Sequence, residues 1–532
     1  MNRLLIPLLA LSGPALAADA PSFQLPVPPV PAAVAQPAQV SVERIEFRGN
    51  TVIGTAELQA AAAPHTGRVN TVDELEALRQ RLTRLYVERG YVNSGLLLPR
   101  RVSDGVLQME VVEGRLSGLR LRGMEALDDR YVSARLQRRE DRVLDMNLLR
   151  ERFLLLQSDP LIERLNARLV PGQAQGEALL EIDVHRSRPW GLSFFANNYR
   201  PASIGSAAAG AAGHWKNLSG TGDIVEMSLQ APLKHGGQGG HGRLDWQLPL
   251  VTWGLPDTAV SLGLEHGSSS VIEEPVEQLD IRSRLDSREL GISHTLQETL
   301  GRKINLGATW LSRENRTRLL GEPFSFTPGA PDGEVREALG RFWLGGAWRS
   351  ERQVLALRGT YSRGHNNLTD IPALPPVPMP AKRFELWTAQ AHYTQQVLEN
   401  GAQAVVKLTW QHSADRLIAL DGLALGGLGT VRGWRQNQLV RDRGAFLNVE
   451  FEYPLRREAN DGYGLTLTPF YDRGRASNIG ESAATLSSWG LVSRAQWQGL
   501  TLDLVLAHRV GGRRLGSTLQ DQGVLIQLAY KL

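Results

Sequence analysis

The feature that most constrains the fold of this chain is a series of alternating segments that fills its C-terminal two-thirds. From Trp190 onwards, stretches of about ten residues carry apolar side chains on one face and mixed side chains on the other. In the last stretch the apolar face consists of Val524, Ile526, Leu528, Tyr530 and Leu532. A period of two predicts β-strands. Strands of this length with one continuous apolar face favour a transmembrane β-barrel over a soluble sandwich.

About sixteen such strands can be placed in this region. They lie near residues 190–199, 207–216, 224–233, 241–250, 257–266, 284–296, 302–312, 338–348, 353–363, 384–396, 402–412, 444–455, 463–472, 489–498, 500–509 and 522–532. An even number of strands returns the chain to the side of the membrane on which it entered. All long connections should then lie at the opposite end, and these are residues 267–283, 313–337, 364–383, 413–443, 473–488 and 510–521.

The composition excludes several other classes of protein. The 532 residues carry 59 Lys and Arg against 55 Asp and Glu, and this net charge of +4 is spread along the chain, so we expect no nucleic-acid partner. The chain has no cysteine, which excludes disulfides and thiolate metal sites. Its sequence contains no phosphate-binding loop, zinc-protease helix or nucleophile elbow, and its 11 histidines do not cluster at ligand spacing. We therefore expect no enzymatic activity, no cofactor and no metal site.

The N-terminus indicates export from the cytoplasm. Arg3 precedes a short apolar run, and Ala15 and Ala17 form a small-residue cleavage site. This pattern predicts a secretory signal peptide over residues 1–17. Residues 18–39 are rich in proline, which fixes the backbone and removes hydrogen-bond donors, so we expect an extended linker there.

Two small α+β modules are predicted between the linker and the barrel, at residues 40–116 and 117–189. In the first, a strand ends at the turn glycine Gly49, and Thr71 and Glu74 fit a capping box at the start of an amphipathic helix. The second module repeats the same order of elements. The pattern therefore indicates two copies of one β-α-α-β-β unit of roughly 75 residues each.

Two short motifs fall where they can meet inside the predicted barrel. The first lies in the long glycine-rich loop and consists of Val431, Arg432, Gly433 and Trp434. The second ends a predicted strand and contains Phe470, Asp472 and Gly474. By alternation Phe470 and Asp472 point into the lumen, so an inward-folded loop allows a bidentate pair between Arg432 and Asp472. Further candidate charges in the lumen are Lys407, Glu450, Glu452 and Asp503.

The N-terminal modules resemble POTRA domains, which are periplasmic modules that bind unfolded clients. The resemblance rests on the segments FRGN at 47–50 and ERGY at 88–91. The matching residues are Phe47, Gly49, Asn50, Gly90 and Tyr91. A client in extended form can add a strand to an exposed sheet edge, which supplies a mechanism for binding. The alternative is that both modules are structural spacers.

The barrel motifs resemble those of the outer-membrane assembly and secretion superfamily. VRGW at 431–434 is similar to its loop motif, FYDRG at 470–474 to its partner strand, and NLSGTGD at 217–223 to its first inside turn. Two POTRA-like modules before about sixteen strands point to the two-partner secretion transporters, called the TpsB family. The resemblance implies that Arg432 is the loop-tip arginine and Asp472 its acceptor in the lumen.

The same resemblance implies a location and a set of partners. We expect a bacterial outer-membrane protein with periplasmic N-terminal domains, surrounded by lipid and inserted by the barrel-assembly machinery. Its client is a TpsA-like exoprotein, bound in extended form and secreted without nucleotide hydrolysis. A barrel-assembly factor and a passive porin remain as alternatives. The chain departs from the family pattern twice, because residues 18–39 are too proline-rich for a plug helix and Leu532 replaces a terminal aromatic residue.

Overall fold

The computed structural model describes residues 39–99, 102–138, 142–233, 239–370, 379–457, 462–512, 516 and 518–532. The chain forms two compact units, one ending at Arg188 and one starting at Pro189. The predicted signal peptide lies outside the described residues, as does the predicted linker except for Gln39, which already belongs to the first strand. Within the described ranges, no helix is long and apolar enough to cross a membrane.

The first module has a three-stranded sheet with two helices. Its elements are β1 (Gln39–Val42), β2 (Arg44–Arg48), α1 (Thr55–Ala62), β3 (Arg68–Thr71), α2 (Val72–Glu88), β4 (Gly95–Leu97) and β5 (Val106–Val112). The sheet order is β2-β5-β4, and β1 pairs separately with β3. Helix α2 begins at the predicted capping box, in which Thr71 Oγ1 accepts from the Glu74 amide at 3.2 Å and Glu74 Oε2 accepts from the Thr71 amide at 2.7 Å. Its apolar face is buried in the module core through Leu75, Leu78, Leu82 and Tyr86.

The second module repeats this arrangement. Its elements are β6 (Arg115–Arg122), α3 (Asp129–Leu136), α4 (Met146–Gln157), β7 (Ile162–Pro171) and β8 (Glu177–Arg186), with the sheet order β6-β8-β7. The turn glycines Gly49 and Gly123 are equivalent: both have positive φ, and a Cβ on either would clash with a backbone carbonyl of the adjacent parallel strand. The expected boundary at residues 116 and 117 falls inside β6, because that strand already starts at Arg115.

The second unit is a closed antiparallel barrel of sixteen long strands. Its elements are β9 (Trp190–Asn197), β10 (Ala208–Lys216), β11 (Ile224–Pro232), β12 (Gly240–Pro249), β13 (Thr258–Ser270), β14 (Arg282–Glu298), β15 (Arg302–Leu319), the two-residue β16 (Glu322–Pro323), β17 (Glu334–Arg349), β18 (Gln353–Asn366), β19 (Arg383–Gln396), β20 (Gln403–His412), β21 (Leu423–Leu425), β22 (Leu439–Arg441), β23 (Arg443–Arg456), β24 (Tyr463–Ser477), β25 (Ala484–Trp497), β26 (Leu500–Arg509) and β27 (Val524–Lys531). Strands β21 and β22 form a separate hairpin, and β27 pairs with β9 to close the barrel.

The predicted fold class is confirmed, and each predicted strand overlaps one long strand of the barrel. The main difference is length, since β15 runs to Leu319 where the prediction stopped at residue 312. The added residues of β14 and β15 at this end carry charged side chains on the outer face, so the apolar alternation ends before the strand does. These strands continue as hairpins beyond the apolar band.

The outer surface of the barrel carries two belts of exposed aromatic residues. Near the short turns these are Trp190, Trp215, Trp348, Trp497 and Tyr530. Towards the long loops they are Trp310, Trp387, Trp410, Tyr471 and Trp489. Between the belts, exposed aliphatic residues such as Ile292, Leu306 and Leu344 cover the surface. Aromatic residues at both borders of an apolar band are the pattern of a barrel that spans a lipid bilayer.

Candidate functional site: a loop held against the inner wall of the barrel

The longest described loop of the barrel, residues 413–442, folds inward. We call it the lumen loop. It contains the β21–β22 hairpin, and its tip is buried, with Val431 0% exposed, Arg432 5% and Trp434 8%. Gly433 has φ +85°, a conformation that favours glycine, so it allows the chain to turn between Arg432 and Trp434.

The tip of the lumen loop is bound to the wall through Arg432. Its Nε donates to Asp472 Oδ2 at 2.8 Å and its Nη2 to Asp472 Oδ1 at 2.6 Å, which is a bidentate pair. The Arg432 backbone amide also donates to Asp472 Oδ2, at 3.0 Å. The guanidinium carbon lies 3.6 Å from the centre of the Phe470 ring, an added cation–π contact. The structure therefore brings together the two residues that the sequence predicts to pair.

A second carboxylate completes the charge balance of this cluster. Arg432 Nη1 lies 2.8 Å from Glu450 Oε1, and Lys407 Nζ lies 2.9 Å from Glu450 Oε2. Asn448 Nδ2 donates to Asp472 Oδ1 at 2.7 Å. Two cations thus face two anions, and the Asp472 side chain is fully buried. Such a network is tolerated in a poorly hydrated site because each charge has a partner.

Apolar packing holds the loop next to the ion pairs. Val431 and Trp434 pack in one cluster with Leu423, Leu425, Ala476 and Leu486. A Cβ on Gly474 would lie 3.0 Å from the methyl groups of Leu425 and 3.1 Å from Val431 Cγ2. The glycine of the FYDRG motif therefore leaves the space that the loop occupies.

The other predicted residues do not join this cluster. Glu452 accepts a hydrogen bond from Gln403 Nε2 at 2.5 Å, and Asp503 accepts from Arg494 Nε at 2.7 Å, both on the inner wall. In the first module Phe47 and Gly49 shape the turn after β2, and Asn50 Nδ2 donates to the carbonyl of Ile53 at 2.9 Å.

The second pair of predicted turn residues follows helix α2. Gly90 has φ +99°, and the Tyr91 amide donates to the carbonyl of Tyr86 at 3.0 Å. The Tyr86 and Tyr91 rings meet edge to face, with centroids 6.2 Å apart. Burial and the neighbouring Glu113 carboxylate raise the pKa of Tyr86. All of these contacts stabilise the first module itself.

Sequence reasoning missed a second attachment of the lumen loop, on a different part of the wall. Arg313 on β15 pairs with both Asp421 in the loop and Glu337 on β17. All three side chains are at most 5% exposed. The outward-facing Leu306 and Trp310 imply that odd-numbered residues of β15 face inward, so the sequence could have placed Arg313 in the lumen. Its partner Asp421 lies 108 positions away in the chain, and no motif marks either Asp421 or Glu337.

A third attachment lies near the long loops. Arg435 Nε lies 2.6 Å from Asp521 Oδ1, and Arg435 Nη1 lies 2.7 Å from Glu273 Oε1. Burial by itself raises the pKa of Asp521, but hydrogen bonds from Arg435 and Thr518 outweigh it and hold that pKa at about 2. This carboxylate is therefore charged at ordinary pH. These three attachments involve separate residues of the lumen loop, Asp421, Arg432 and Arg435.

Comparison with known protein families gives a match for each of the two parts of the chain. Residues 176–496 match the model of the haemolysin secretion/activation protein family ShlB/FhaC/HecB, and residues 40–114 match the ShlB-type POTRA domain. The features above define an outer-membrane barrel protein with N-terminal POTRA domains. The chain belongs to the haemolysin secretion/activation protein family. This is a family of outer-membrane transporters, with POTRA domains in the periplasm, and is not a class of enzymes.

Relatives and solved structures agree with this membership. The chain is 21% identical over 469 residues to the outer membrane transporter CdiB of Dickeya dadantii (strain 3937), covering 85% of this chain and 79% of that protein. Its fold is similar to that of CdiB from Escherichia coli, with a TM-score of 0.71, 19% identity and coverage of 96% and 94% of the two chains. BamA from Haemophilus ducreyi lacking POTRA domains 1-3 is similar in fold at a TM-score of 0.52 and 10% identity, covering 93% of this chain and 100% of that one. The predicted resemblance to two-partner secretion transporters is confirmed.

Proposed function

We propose that this chain recognises an unfolded exoprotein in the periplasm and moves it through the barrel without nucleotide hydrolysis, after the lumen loop has left its place. The observation that carries the proposal is the attachment of the loop tip by Arg432 to Asp472 and Glu450. These contacts are polar, non-covalent and reversible. A loop bound in this way can be displaced and can return, which a gated protein pore requires.

Client recognition is assigned to the N-terminal modules. Strand β7 is ten residues long and forms one edge of its sheet, with β8 as its neighbour. The opposite edge strand, β6, is partly engaged, because Gln137 Nε2 donates to the carbonyl of Leu116 at 3.1 Å. Backbone groups on an edge bind an extended chain independently of its side chains. Strand addition at β7 therefore suits a client that arrives unfolded.

The direction of transport is set by folding of the client and not by nucleotide hydrolysis. The sequence contains no phosphate-binding loop motif. Folding of the client outside the cell makes the outward step favourable, because a folded domain cannot return through the lumen. The barrel then has two tasks, to keep a path open for the client and to close it with the lumen loop between clients.

The test is a secretion assay with the exoprotein encoded beside this chain. Wild type, Arg432→Ala and Asp472→Ala are compared at equal levels in the outer membrane, and the client is measured in the medium. Arg494→Gln is the matched control, since Arg494 pairs with Asp503 on the wall rather than with a carboxylate of the lumen loop. We expect secretion to fall in the first two variants, because a loop without its anchor has no fixed place to return to and obstructs the path of the client. Secretion by the control should stay near wild type. Secretion at the wild-type level by both Arg432→Ala and Asp472→Ala would refute the role of the loop attachment.

A second arm separates transport from barrel assembly. Depletion of the chain should stop secretion of the client and leave the amounts of other outer-membrane barrels unchanged. A general loss of those barrels would indicate an assembly factor instead.

A further inference from the structure

The outer face of the barrel carries a group of arginines beyond its apolar band. On β14 and β15 the even-numbered residues face outward, as shown by the exposed Leu290, Ile292, Leu306 and Trp310. Continuing towards the long loops, the same face presents Arg282, Arg284, Arg316 and Arg318, all of them exposed. We call these four residues the outer arginine patch. They are separate from the lumen loop, because they lie on the opposite surface of the wall.

The strand register places these arginines directly opposite one another. Arg282 pairs across the strands with Arg318, and Arg284 with Arg316. Like charges at opposite positions of an antiparallel pair are destabilising. Carboxylates compensate in part, because Arg282 pairs with Asp280, Arg284 with Asp286, and Arg316 with both Glu314 and Glu334. The side chains remain open to solvent, with Arg284 59% and Arg316 48% exposed.

The positive surface extends over the neighbouring strands. The outward positions beyond the apolar band on β14, β15, β17, β18 and β19 carry more arginines than carboxylates. The arginines are Arg282, Arg284, Arg288, Arg316, Arg318, Arg336, Arg363 and Arg383. The carboxylates are Asp286, Glu314, Glu334 and Glu385. The excess charge is positive, so the surface is complementary to an anionic partner.

The distance of the patch from the apolar band indicates which anionic lipids can reach it. Leu290 and Trp310 lie opposite each other at the border of the apolar band, and Arg284 and Arg316 lie six residues further along their strands. Six residues span about 20 Å along a strand, or about 15 Å along the membrane normal at a tilt of about 40°. The headgroup region of an ordinary bilayer is only roughly 5–8 Å deep on each side. The phosphates of ordinary phospholipids therefore lie below the patch, whereas phosphates on a longer sugar headgroup reach it.

We propose that the outer arginine patch binds the phosphates of a phosphorylated glycolipid in the outer leaflet of the outer membrane. A guanidinium donates two parallel hydrogen bonds to one phosphate, and its charge does not titrate at ordinary pH. A phosphate between Arg284 and Arg316 relieves the repulsion across β14 and β15. The bound phosphate then stabilises the outer ends of β14 and β15 at the membrane surface. This role is independent of client transport.

The test measures binding of purified lipopolysaccharide to the full chain in detergent. The double variant Arg284→Gln/Arg316→Gln is compared with wild type and with Arg349→Gln/Arg352→Gln, which removes two exposed arginines from a short turn at the other end of the barrel. Wild type and both double variants are first run on detergent gels, where resistance to unfolding verifies that each barrel is folded. Phosphatase-treated lipopolysaccharide, phosphatidylglycerol and inorganic phosphate serve as competing probes.

We expect the affinity for intact lipopolysaccharide to fall at least tenfold in the patch variant and to stay unchanged in the turn variant. Removal of the lipid phosphates should weaken binding to wild type by a similar factor. Equal affinity of wild type and patch variant would overturn the proposal. So would displacement by phosphatidylglycerol or inorganic phosphate at concentrations close to that of the glycolipid, since either result shows that a long phosphorylated headgroup is not what the patch selects.

Discussion

Replacement of Asp472 by alanine should release the tip of the lumen loop from the barrel wall. The change removes both hydrogen bonds of the bidentate pair and the acceptor of the Arg432 amide. Loss of one partner from a buried ion pair costs about 3–5 kcal/mol. Arg432 keeps Glu450 at 2.8 Å, so we expect the lower end, about 3 kcal/mol. Because each 1.4 kcal/mol is about tenfold, the released population should rise roughly 150-fold.

The absence of cysteine from the sequence makes this change measurable. A single thiol introduced by Val431→Cys lies at the fully buried tip and becomes reachable only when the loop leaves the wall. Its rate of reaction with a membrane-impermeant thiol reagent, on intact cells, then reports the released population. We expect the rate to rise on the order of a hundredfold when Asp472→Ala is added.

Asp503→Asn in the same Val431→Cys background is the control. Asp503 is also a carboxylate on the inner wall, but its partner is Arg494 rather than the lumen loop. The control should label within about twofold of the parent, because the Asp503–Arg494 pair shares no partner with the ion pairs of Arg432. If Asp472→Ala and Asp503→Asn label at the same rate, the ion pair does not hold the loop and the reasoning is wrong.

Three further changes act on the same loop and use the same labelling rate. Asp421→Asn should speed labelling modestly and leave the barrel folded, because Arg313 then remains in a one-to-one pair with Glu337. Gly474→Val should speed it at least tenfold, since its side chain occupies the space filled by Leu425, and Gly474→Ala should have a smaller effect. Lowering the pH should leave the Asp521 attachment intact down to about pH 4 and weaken it between about pH 4 and 2. The sign follows because the folded-state pKa of Asp521, about 2, lies below its ordinary value, so its stabilisation is lost as the pH falls.

Local patterns of the sequence were sufficient for the architecture. The period-two alternation predicted sixteen strands and the side on which the long loops lie, because a strand must present alternate residues to lipid. The capping box at Thr71 and the glycine turns at Gly49 and Gly90 predicted the first module, since they act within a few residues. The pairing of Arg432 with Asp472 was predicted as well, because alternation directs Asp472 inward and the loop that carries Arg432 is long enough to reach it.

Only the closed barrel decided which distant residues meet. Arg313 and Asp421 are 108 positions apart, and they are neighbours because the lumen loop folds into the closed barrel, where it meets the inward face of β15. Of the patch arginines, Arg282, Arg316 and Arg318 were outside the predicted strands, since charged outward residues end the apolar alternation although the backbone ladder continues. Side-chain periodicity is a local property of the chain. Register and closure are properties of the whole sheet, so they determine the second attachment of the loop and the outer arginine patch.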